Sequence, residues 1–243
     1  MRSLDRFRRR EYALGRMKPA EARFLGRINY AAGLEAQSAA LLDLDRLNQR
    51  AIVLGLEHNP VITLGIRGRV EVDLQLPPTE ITRRGFDLVK TDRGGQATLH
   101  HHGQLVIYPI CNLKALQLGV RDYVCLIEKS TGSWLSSLGV SWRRQDREPG
   151  IFVGEKKLVA LGFRIAHGKT SHGIAINVEN RLEDFGLIRT CGIASQPVTS
   201  LSDIGISSAD HGGLLGLFHG WMTHFNAHLA QAETLPGCQI VTP

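Results

Sequence analysis

Two residues far apart in the chain, Cys191 and Lys157, have side chains suited to acyl transfer. Cys191 lies in a short polar stretch without helix or strand periodicity, between Thr190 and Gly192 and close to Arg189. A nearby cation lowers the pKa of a thiol, and a loop glycine lets a substrate approach closely. A thiolate that accepts the acyl group and an amine that moves protons would form a working pair.

Both residues also have ordinary structural interpretations. Most buried cysteines are inert core residues, and a lysine at the start of a strand commonly extends its charged end into water. Lys157 follows Lys156 and opens the apolar run Lys-Leu-Val-Ala-Leu-Gly. In a regular strand, Lys157 shares one side with Val159 and Leu161, and Lys156 shares the other side with Leu158. One of the two lysines must therefore face the buried side, where a desolvated amine can act as a base near neutral pH.

The other cysteines, at 111, 125 and 238, form no pair with metal-binding or redox-motif spacing. Cys125 lies on an apolar helical face and is interpreted as structural, and Cys238 as an exposed thiol. Scattered cysteines in a chain of this length are typical of free thiols in a reducing, cytoplasmic protein.

Histidines provide a second set of possible ligands. His100, His101 and His102 are consecutive, so on a strand they point to alternate faces and cannot all bind one ion without a bend. His224 and His228 are four residues apart on a helical segment but lack the glutamate of a zincin motif. We therefore expect no metal site, although metal binding by the triplet remains an alternative.

The composition favours a single globular domain without a membrane segment. The chain has 243 residues, of which 43% are hydrophobic, and no apolar run approaches the roughly 20 residues of a membrane helix. Residues 1–23 carry eight Lys or Arg and three Asp or Glu, a net charge of +5, so the other 220 residues carry only +1 of the total of +6. We interpret residues 1–23 as a flexible basic extension rather than a nucleic-acid-binding element.

Periodicity predicts an α+β domain with a mixed or mostly antiparallel sheet and helices packed against it. The predicted helices cover residues 28–44, 122–138 and 214–229. The predicted strands cover residues 51–57, 61–64, 86–90, 104–110, 151–153, 157–165 and 173–178, the last three as consecutive antiparallel strands.

Several short motifs occur in an order that together is more specific than any one of them. They are Glu57-His58-Asn59-Pro60, Arg93-Gly94-Gly95-Gln96-Ala97-Thr98, His100 with Gly103-Gln104, Pro149-Gly150-Ile151, Lys157 to Gly162, His172-Gly173-Ile174-Ala175, Cys191-Gly192 and Val198-Thr199-Ser200-Leu201. With this set, the chain from about residue 27 to 201 resembles the lipoyl(octanoyl) transferase family.

The resemblance implies the biotin/lipoate protein ligase fold, with a single catalytic domain over residues 24–243. It also implies transfer of an octanoyl group from acyl carrier protein to a lysine of a lipoyl domain, without a cofactor. The acceptors would be the lipoyl domains of 2-oxoacid dehydrogenases and the glycine cleavage H protein. By family likeness, Cys191 is the nucleophile and Lys157 its proton partner.

The same resemblance implies a substrate-binding set around these two residues: Tyr30, Leu41, Arg93, Gly94, Gly95, His100, Gly162, His172 and Gly173. Arg93 is expected to order its loop. Backbone N–H groups of Gly94 and Gly95 are candidate oxyanion donors.

One stretch differs from the family pattern of an aromatic residue followed by His-Gly-Pro-Gly-Gln. Here it reads Leu-His-His-His-Gly-Gln over residues 99–104, so two histidines replace the Gly-Pro pair. Two alternatives therefore stay open beside the transferase. One is an ATP-dependent lipoate or biotin ligase, which does not need a cysteine nucleophile. The other is a non-catalytic binder of lipoyl domains or acyl carriers.

Overall fold

Ten strands and five helices make up the part of the chain that the structure describes. The computed structural model covers residues 18–145, 148–189 and 197–232. The strands are β1 (Glu21–Ile28), β2 (Ala51–His58), β3 (Val61–Leu64), β4 (Asp87–Lys90), β5 (Ala97–His100), β6 (Gln104–Cys111), β7 (Arg143–Gln145), β8 (Glu148–Val153), β9 (Lys156–Ala166) and β10 (Lys169–Asn177). The helices are α1 (Tyr30–Arg46), α2 (Val70–Asp73), α3 (Pro78–Arg83), α4 (Val120–Ser137) and α5 (Gly213–Ala232).

Seven strands form the main sheet, in the order β1-β2-β6-β10-β9-β8-β7. β1 pairs with β2 in parallel, and the other described pairings in this sheet are antiparallel. The prediction of a mixed sheet with three consecutive antiparallel strands is therefore confirmed. A smaller sheet has the order β4-β3-β5, with β3 and β4 parallel.

The main sheet is buried on both faces, because alternate side chains of each strand enter different apolar clusters. One face packs against α4 and α5, where Trp134, Trp221 and Phe218 are buried. The opposite face packs against α1 through a smaller cluster that includes Leu44, Val106 and Tyr108. We call these the α4/α5 face and the α1 face.

Several elements differ from the sequence prediction. The first predicted helix begins at Tyr30 rather than at residue 28, because the Asn29 side chain caps it by accepting from the Ala32 N–H. Residues 21–23, which the charge count grouped with the basic extension, belong to β1. That strand alternates poorly in hydrophobicity, since most of its residues are only partly buried at the sheet edge.

Two cysteines fall within the described residues. Cys111 is a buried free thiol, and burial raises its pKa to about 12. Cys125 is disulfide-bonded, so the prediction of free thiols throughout is wrong at this position. Among the described residues, no helix is both long enough and apolar enough to span a bilayer.

Candidate active site

Two adjoining pockets open on the α1 face of the main sheet. The first, which we call the sheet pocket, has an empty volume of about 380 Å³. The second, the lysine pocket, has an empty volume of about 640 Å³ and contains Lys157. Both share Arg93, Thr98, Ala160 and Leu161 in their walls, so they meet at the centre of β9.

The floor of the sheet pocket consists of four small residues on two neighbouring strands. Gly173 lies opposite Gly162, and Ala175 lies opposite Ala160, across the β10–β9 pairing. Residues two apart on a strand share a face, so all four point toward α1, where Ala175 packs. The absence of larger side chains at these positions leaves an apolar trough over the sheet.

The rings of Tyr30, His100 and Tyr108 line the sheet pocket, and His58 packs against these three rings. Tyr30, the first residue of α1, donates from its hydroxyl to Thr91 Oγ1 at 3.2 Å. His58 lies 5.2 Å from Tyr30 and 5.5 Å from His100 between ring centroids. His58 Nδ1 contacts the Ile28 carbonyl, which only accepts, so Nε2 accepts the Tyr108 hydroxyl proton at 2.7 Å.

Burial keeps these histidines neutral. Desolvation lowers the pKa of His58 to about 4 and that of His100 to about 3, with the nearby His58 contributing to the second shift. His100 Nδ1 donates to Gln104 Oε1 at 2.8 Å, because the Gln104 amide nitrogen is itself used as a donor to Asn177. The other nitrogen of His100 is therefore a hydrogen-bond acceptor.

His172 lies at the end of the sheet pocket in a left-handed backbone conformation, with φ of 57°. Two contacts hold it there: its N–H donates to Gln37 Oε1 at 2.7 Å, and its ring contacts Asp92 at 2.8 Å. Burial lowers the pKa of His172, and Asp92 opposes that shift. A non-glycine residue in this region is uncommon and costs energy, so its geometry is fixed by these partners.

Lys157 faces the lysine pocket because β9 contains a bulge. The β8–β9 register shifts so that Phe152 pairs with Lys157 while the adjacent Ile151 pairs with Val159. Leu158 and Val159 are consecutive, yet both belong to the α4/α5 cluster. The extra residue places Lys157 on the opposite face, with Ala160. The prediction that Lys157 and Val159 share one side is therefore wrong.

Arg93 connects the two pockets as a buried structural residue. Its guanidinium donates to the Thr63 carbonyl and hydroxyl and to the Gly94 and Gln96 carbonyls, at 2.7–3.0 Å. These bonds fold the 93–96 loop against β3 and agree with its expected role in ordering the loop. Gly94 N–H is already bonded to the Phe163 carbonyl at 2.9 Å, whereas Gly95, with φ of 94°, lines the lysine pocket. Of the two candidate oxyanion donors, only the Gly95 N–H has no acceptor among the described residues.

Cys191 lies outside the described residues. The described chain stops at Arg189 and resumes at Pro197, and both ends are anchored beside the lysine pocket. Arg189 N–H donates to the Asp73 carbonyl at 2.8 Å, and Lys157 N–H donates to the Pro197 carbonyl at 2.8 Å. Thr199 N–H donates back to the Lys157 carbonyl.

The turn that departs from the family pattern forms without its glycine–proline pair. Gly103 has φ of 79°, its N–H donates to Glu57 Oε1 at 2.6 Å, and its carbonyl accepts from Val178 and Glu179. His100 and His101 turn apart, the first toward Gln104 and the second toward Asp184 at 3.7 Å. Within the described ranges, no three His, Cys, Asp or Glu side chains come together in a way that could hold a metal ion.

The family model of the lipoyl protein ligase A/B catalytic domain matches residues 29–211. The chain belongs to this family. An octanoyltransferase of Xanthomonas euvesicatoria is 41% identical over 187 residues, which is 77% of each chain. A mitochondrial octanoyltransferase of Arabidopsis thaliana is 38% identical over 178 residues, covering 73% of this chain and 75% of that one.

Solved structures with low sequence identity to this chain have the same fold. The bipartite lipoate protein ligase of Thermoplasma acidophilum superposes with a TM-score of 0.67 at 16% identity, over 88% of this chain and 84% of that one. The biotin protein ligase of Aquifex aeolicus superposes with a TM-score of 0.51 at 12% identity, over 87% of this chain and 71% of that one. The predicted biotin/lipoate ligase fold is thereby confirmed.

The structure brings together most of the residues expected from this family resemblance. Tyr30, Arg93, His100, Gly162, His172 and Gly173 line the sheet pocket, and Arg93, Gly95 and Lys157 line the lysine pocket. Leu41 lines neither pocket and packs against the α1 cluster instead. It follows Tyr30 by eleven residues on α1, or about 16 Å along the helix axis.

Sequence reasoning missed Glu148, whose carboxylate lies beside Lys157, and the ring pair His58 and Tyr108. His58 and Tyr108 fall inside strands that read as continuously apolar or motif-bearing segments. A polar residue within a buried strand is the available signal, because it needs a partner. Glu148 precedes the apolar part of β8, and its position relative to Lys157 depends on the bulge.

Proposed function

We propose that this chain is an octanoyltransferase, an acyltransferase of lipoate biosynthesis that carries the octanoyl group as a thioester on Cys191. The donor would be octanoyl-acyl carrier protein and the acceptor a lysine of a lipoyl domain. Relatives at about 40% identity are named octanoyltransferases, which supports the reaction class. The named activity of those relatives says nothing about Cys191, whose role rests on the chemistry below.

One observation carries the proposal: a nearly buried amine, Lys157, lines a pocket that adjoins an apolar trough. The trough over Gly162, Gly173, Ala160 and Ala175 suits an unbranched acyl chain, because small residues leave room for methylenes. The lysine pocket at its end contains Lys157 and Val198, and Lys157 N–H donates to the Pro197 carbonyl. The acyl chain would occupy the trough, with its thioester carbonyl at the junction of the two pockets.

The first half-reaction transfers the acyl group to the enzyme. Cys191 thiolate attacks the thioester carbonyl, the bond from that carbon to the carrier sulfur breaks, and the Lys157 ammonium gives its proton to the leaving sulfur. Gly95 N–H is the candidate donor to the transient oxyanion. A thioester is already activated, so this step requires no ATP.

The second half-reaction transfers the acyl group to the acceptor. The amine of the lipoyl-domain lysine attacks the Cys191 thioester, the carbon–sulfur bond breaks, and neutral Lys157 takes the proton that the amine loses. Cys191 leaves as a thiolate and Lys157 is again an ammonium. Each proton that leaves the lysine in the first half is thus restored in the second.

The partners follow from the same proposal. The Thermoplasma ligase structure includes an E2 lipoyl domain, and lipoyl domains of 2-oxoacid dehydrogenases and the glycine cleavage H protein are the proposed acceptors here. A cytoplasmic location also remains a prediction. Because one relative is named as mitochondrial, the location requires its own test.

The experiment is intact-protein mass spectrometry after mixing the enzyme with octanoyl-acyl carrier protein in the absence of ATP. We expect one added octanoyl group on wild type and none on Cys191→Ser. Adding a lipoyl domain should move that group to the domain. Lys157→Ala should be slower in both halves, by roughly 100-fold or more.

Other outcomes would identify the alternatives. Octanoyl transfer that requires ATP and free octanoate, and that survives Cys191→Ser, would indicate a ligase. Binding of the carrier without any adduct would indicate a non-catalytic binder.

A further inference from the structure

Glu148 and Lys157 form a nearly buried ion pair at the wall of the lysine pocket. Lys157 Nζ lies 2.6 Å from Glu148 Oε1, and the two side chains are 9% and 11% exposed. Surface ion pairs contribute little, but removing one partner of a buried pair leaves an uncompensated charge. Glu148 is therefore the carboxylate that fixes the position of the Lys157 ammonium group.

The backbone of β8 allows the Lys157 side chain to reach Glu148. Gly150 lies on the same face as Phe152 and Glu148, since the three are spaced two apart. A Cβ on Gly150 would approach Lys157 Cε to 2.9 Å. The lysine side chain thus runs over the glycine, with Nζ 5.4 Å from the Phe152 ring centroid, and ends at Glu148.

The carboxylate has separate partners for its two oxygens. With the Gln145 amide oriented to satisfy its neighbours, Gln145 donates to Glu148 Oε2 at 3.2 Å and accepts from Arg143 at 2.9 Å. Oε1 receives no aligned hydrogen bond and is left to the ionic contact with Lys157. One oxygen therefore fixes the carboxylate, and the other faces the lysine charge.

We propose that Glu148 is the positioning residue of Lys157: it holds Nζ in the wall of the lysine pocket, from which Lys157 protonates the leaving sulfur. The inference rests on the proposed function, because it assigns Glu148 a role only through the proton transfers of Lys157. Glu148 takes no part in the proton transfers. The proton goes from Lys157 to the carrier sulfur in the first half-reaction and returns to Lys157 from the acceptor amine in the second.

The test compares Glu148→Gln with wild type in steady-state transfer from octanoyl-acyl carrier protein to a lipoyl domain. We expect kcat to fall roughly 10- to 100-fold with KM for both substrates within about twofold, since misplacing a reacting group by about 1 Å has effects of this size. Glu148→Asp keeps the charge on a shorter stem and should retain more kcat than Glu148→Gln. Glu155→Gln is the matched control, because Glu155 is 83% exposed and pairs with Arg143 on the same hairpin.

The outcomes separate this inference from the proposed function. If Lys157→Ala is inactive and Glu148→Gln keeps kcat within twofold of wild type, the positioning role is wrong and the transferase function stands. A parallel change in kcat, KM and melting temperature would show a purely structural role and would also overturn the inference. If Glu148→Gln does not fold, Glu148→Asp decides, because full kcat in that variant contradicts a positioning role. Absence of ATP-independent transfer by wild type would overturn the proposed function itself.

Discussion

Acid should destabilise this protein through two buried histidines well before its carboxylates titrate. His58 and His100 have folded-state pKa values of about 4 and about 3, lowered by burial from an ordinary value of 6.5. Above pH 6.5 both histidines are neutral in the folded and in the unfolded chain, so their titration does not change the free energy of unfolding. As the pH falls below 6.5, only the unfolded chain takes up the protons, and stability is lost until the folded-state pKa is reached.

The size of the effect follows from the shifts. At pH 5, each histidine lowers the free energy of unfolding by about 2 kcal/mol relative to pH 8, since one pKa unit corresponds to about 1.4 kcal/mol. The pair should cost about 4 kcal/mol, which is a large part of a typical stability of roughly 5–15 kcal/mol. At pH 5 most Asp and Glu side chains remain ionised in both states, so the histidines dominate this window.

The assay is urea unfolding of wild type, His58→Gln and His211→Gln at pH 8 and pH 5. His211 is exposed and serves as the control. We expect a pH-dependent loss of at least about 4 kcal/mol in wild type and His211→Gln, because His172 adds to the contribution of the pair. The loss in His58→Gln should be about 2 kcal/mol smaller, whatever its stability at pH 8. A wild-type loss below about 1 kcal/mol, or an unchanged loss in His58→Gln, would refute this reasoning.

Three further predictions concern the pockets. Ala175→Leu should fill the trough, so that the C8 adduct forms at least about 10-fold more slowly, as followed by intact-mass spectrometry, while a C4 acyl donor still reacts. An equal loss of rate for the C8 and C4 donors would contradict a role of the trough in chain-length preference. Gly173→Ala should destabilise by about 1–3 kcal/mol in thermal unfolding, because its Cβ would lie 2.0 Å from the Ile107 carbonyl oxygen; an unchanged melting temperature would show that the strands can separate. Arg93→Lys should lower the melting temperature and slow transfer together, since an ammonium has too few donors to reach Thr63 and the 93–96 loop at once; a variant as stable as wild type would place the loop's order elsewhere.

Much of the fold was predictable because hydrophobic periodicity marks strands that are buried on both sides. β2 and β6 lie in the interior of the main sheet, and each reads as a nearly continuous apolar run; in β10 this holds only for the second half of the strand. β1 was missed because it lies at the sheet edge, where partly buried residues carry no clear alternation. The elements with the most burial are thus the ones that sequence predicts best.

The site was predictable to a smaller extent, and the reason differs from residue to residue. The family motifs indicated Lys157 and the pocket glycines, but the face of Lys157 depends on a bulge that strict alternation does not reveal. The contact of Glu148 with Lys157 could not be predicted from the sequence, because it depends on the bulge that brings Lys157 over Gly150. The pairing of His58 with Tyr108 depends on the β2–β6 register, which joins residues fifty positions apart.

The two faces of the main sheet differ in the side chains that they contain. The α4/α5 face contains the largest apolar cluster, with two buried tryptophans, whereas the α1 face contains the trough and its polar wall. Because neighbouring residues on one strand point to opposite faces, the side chains that hold the domain together are largely different from those that line the trough. Substrate preference can therefore change during evolution by exchanging small residues on one side of β9 and β10, while the opposite side preserves foldability.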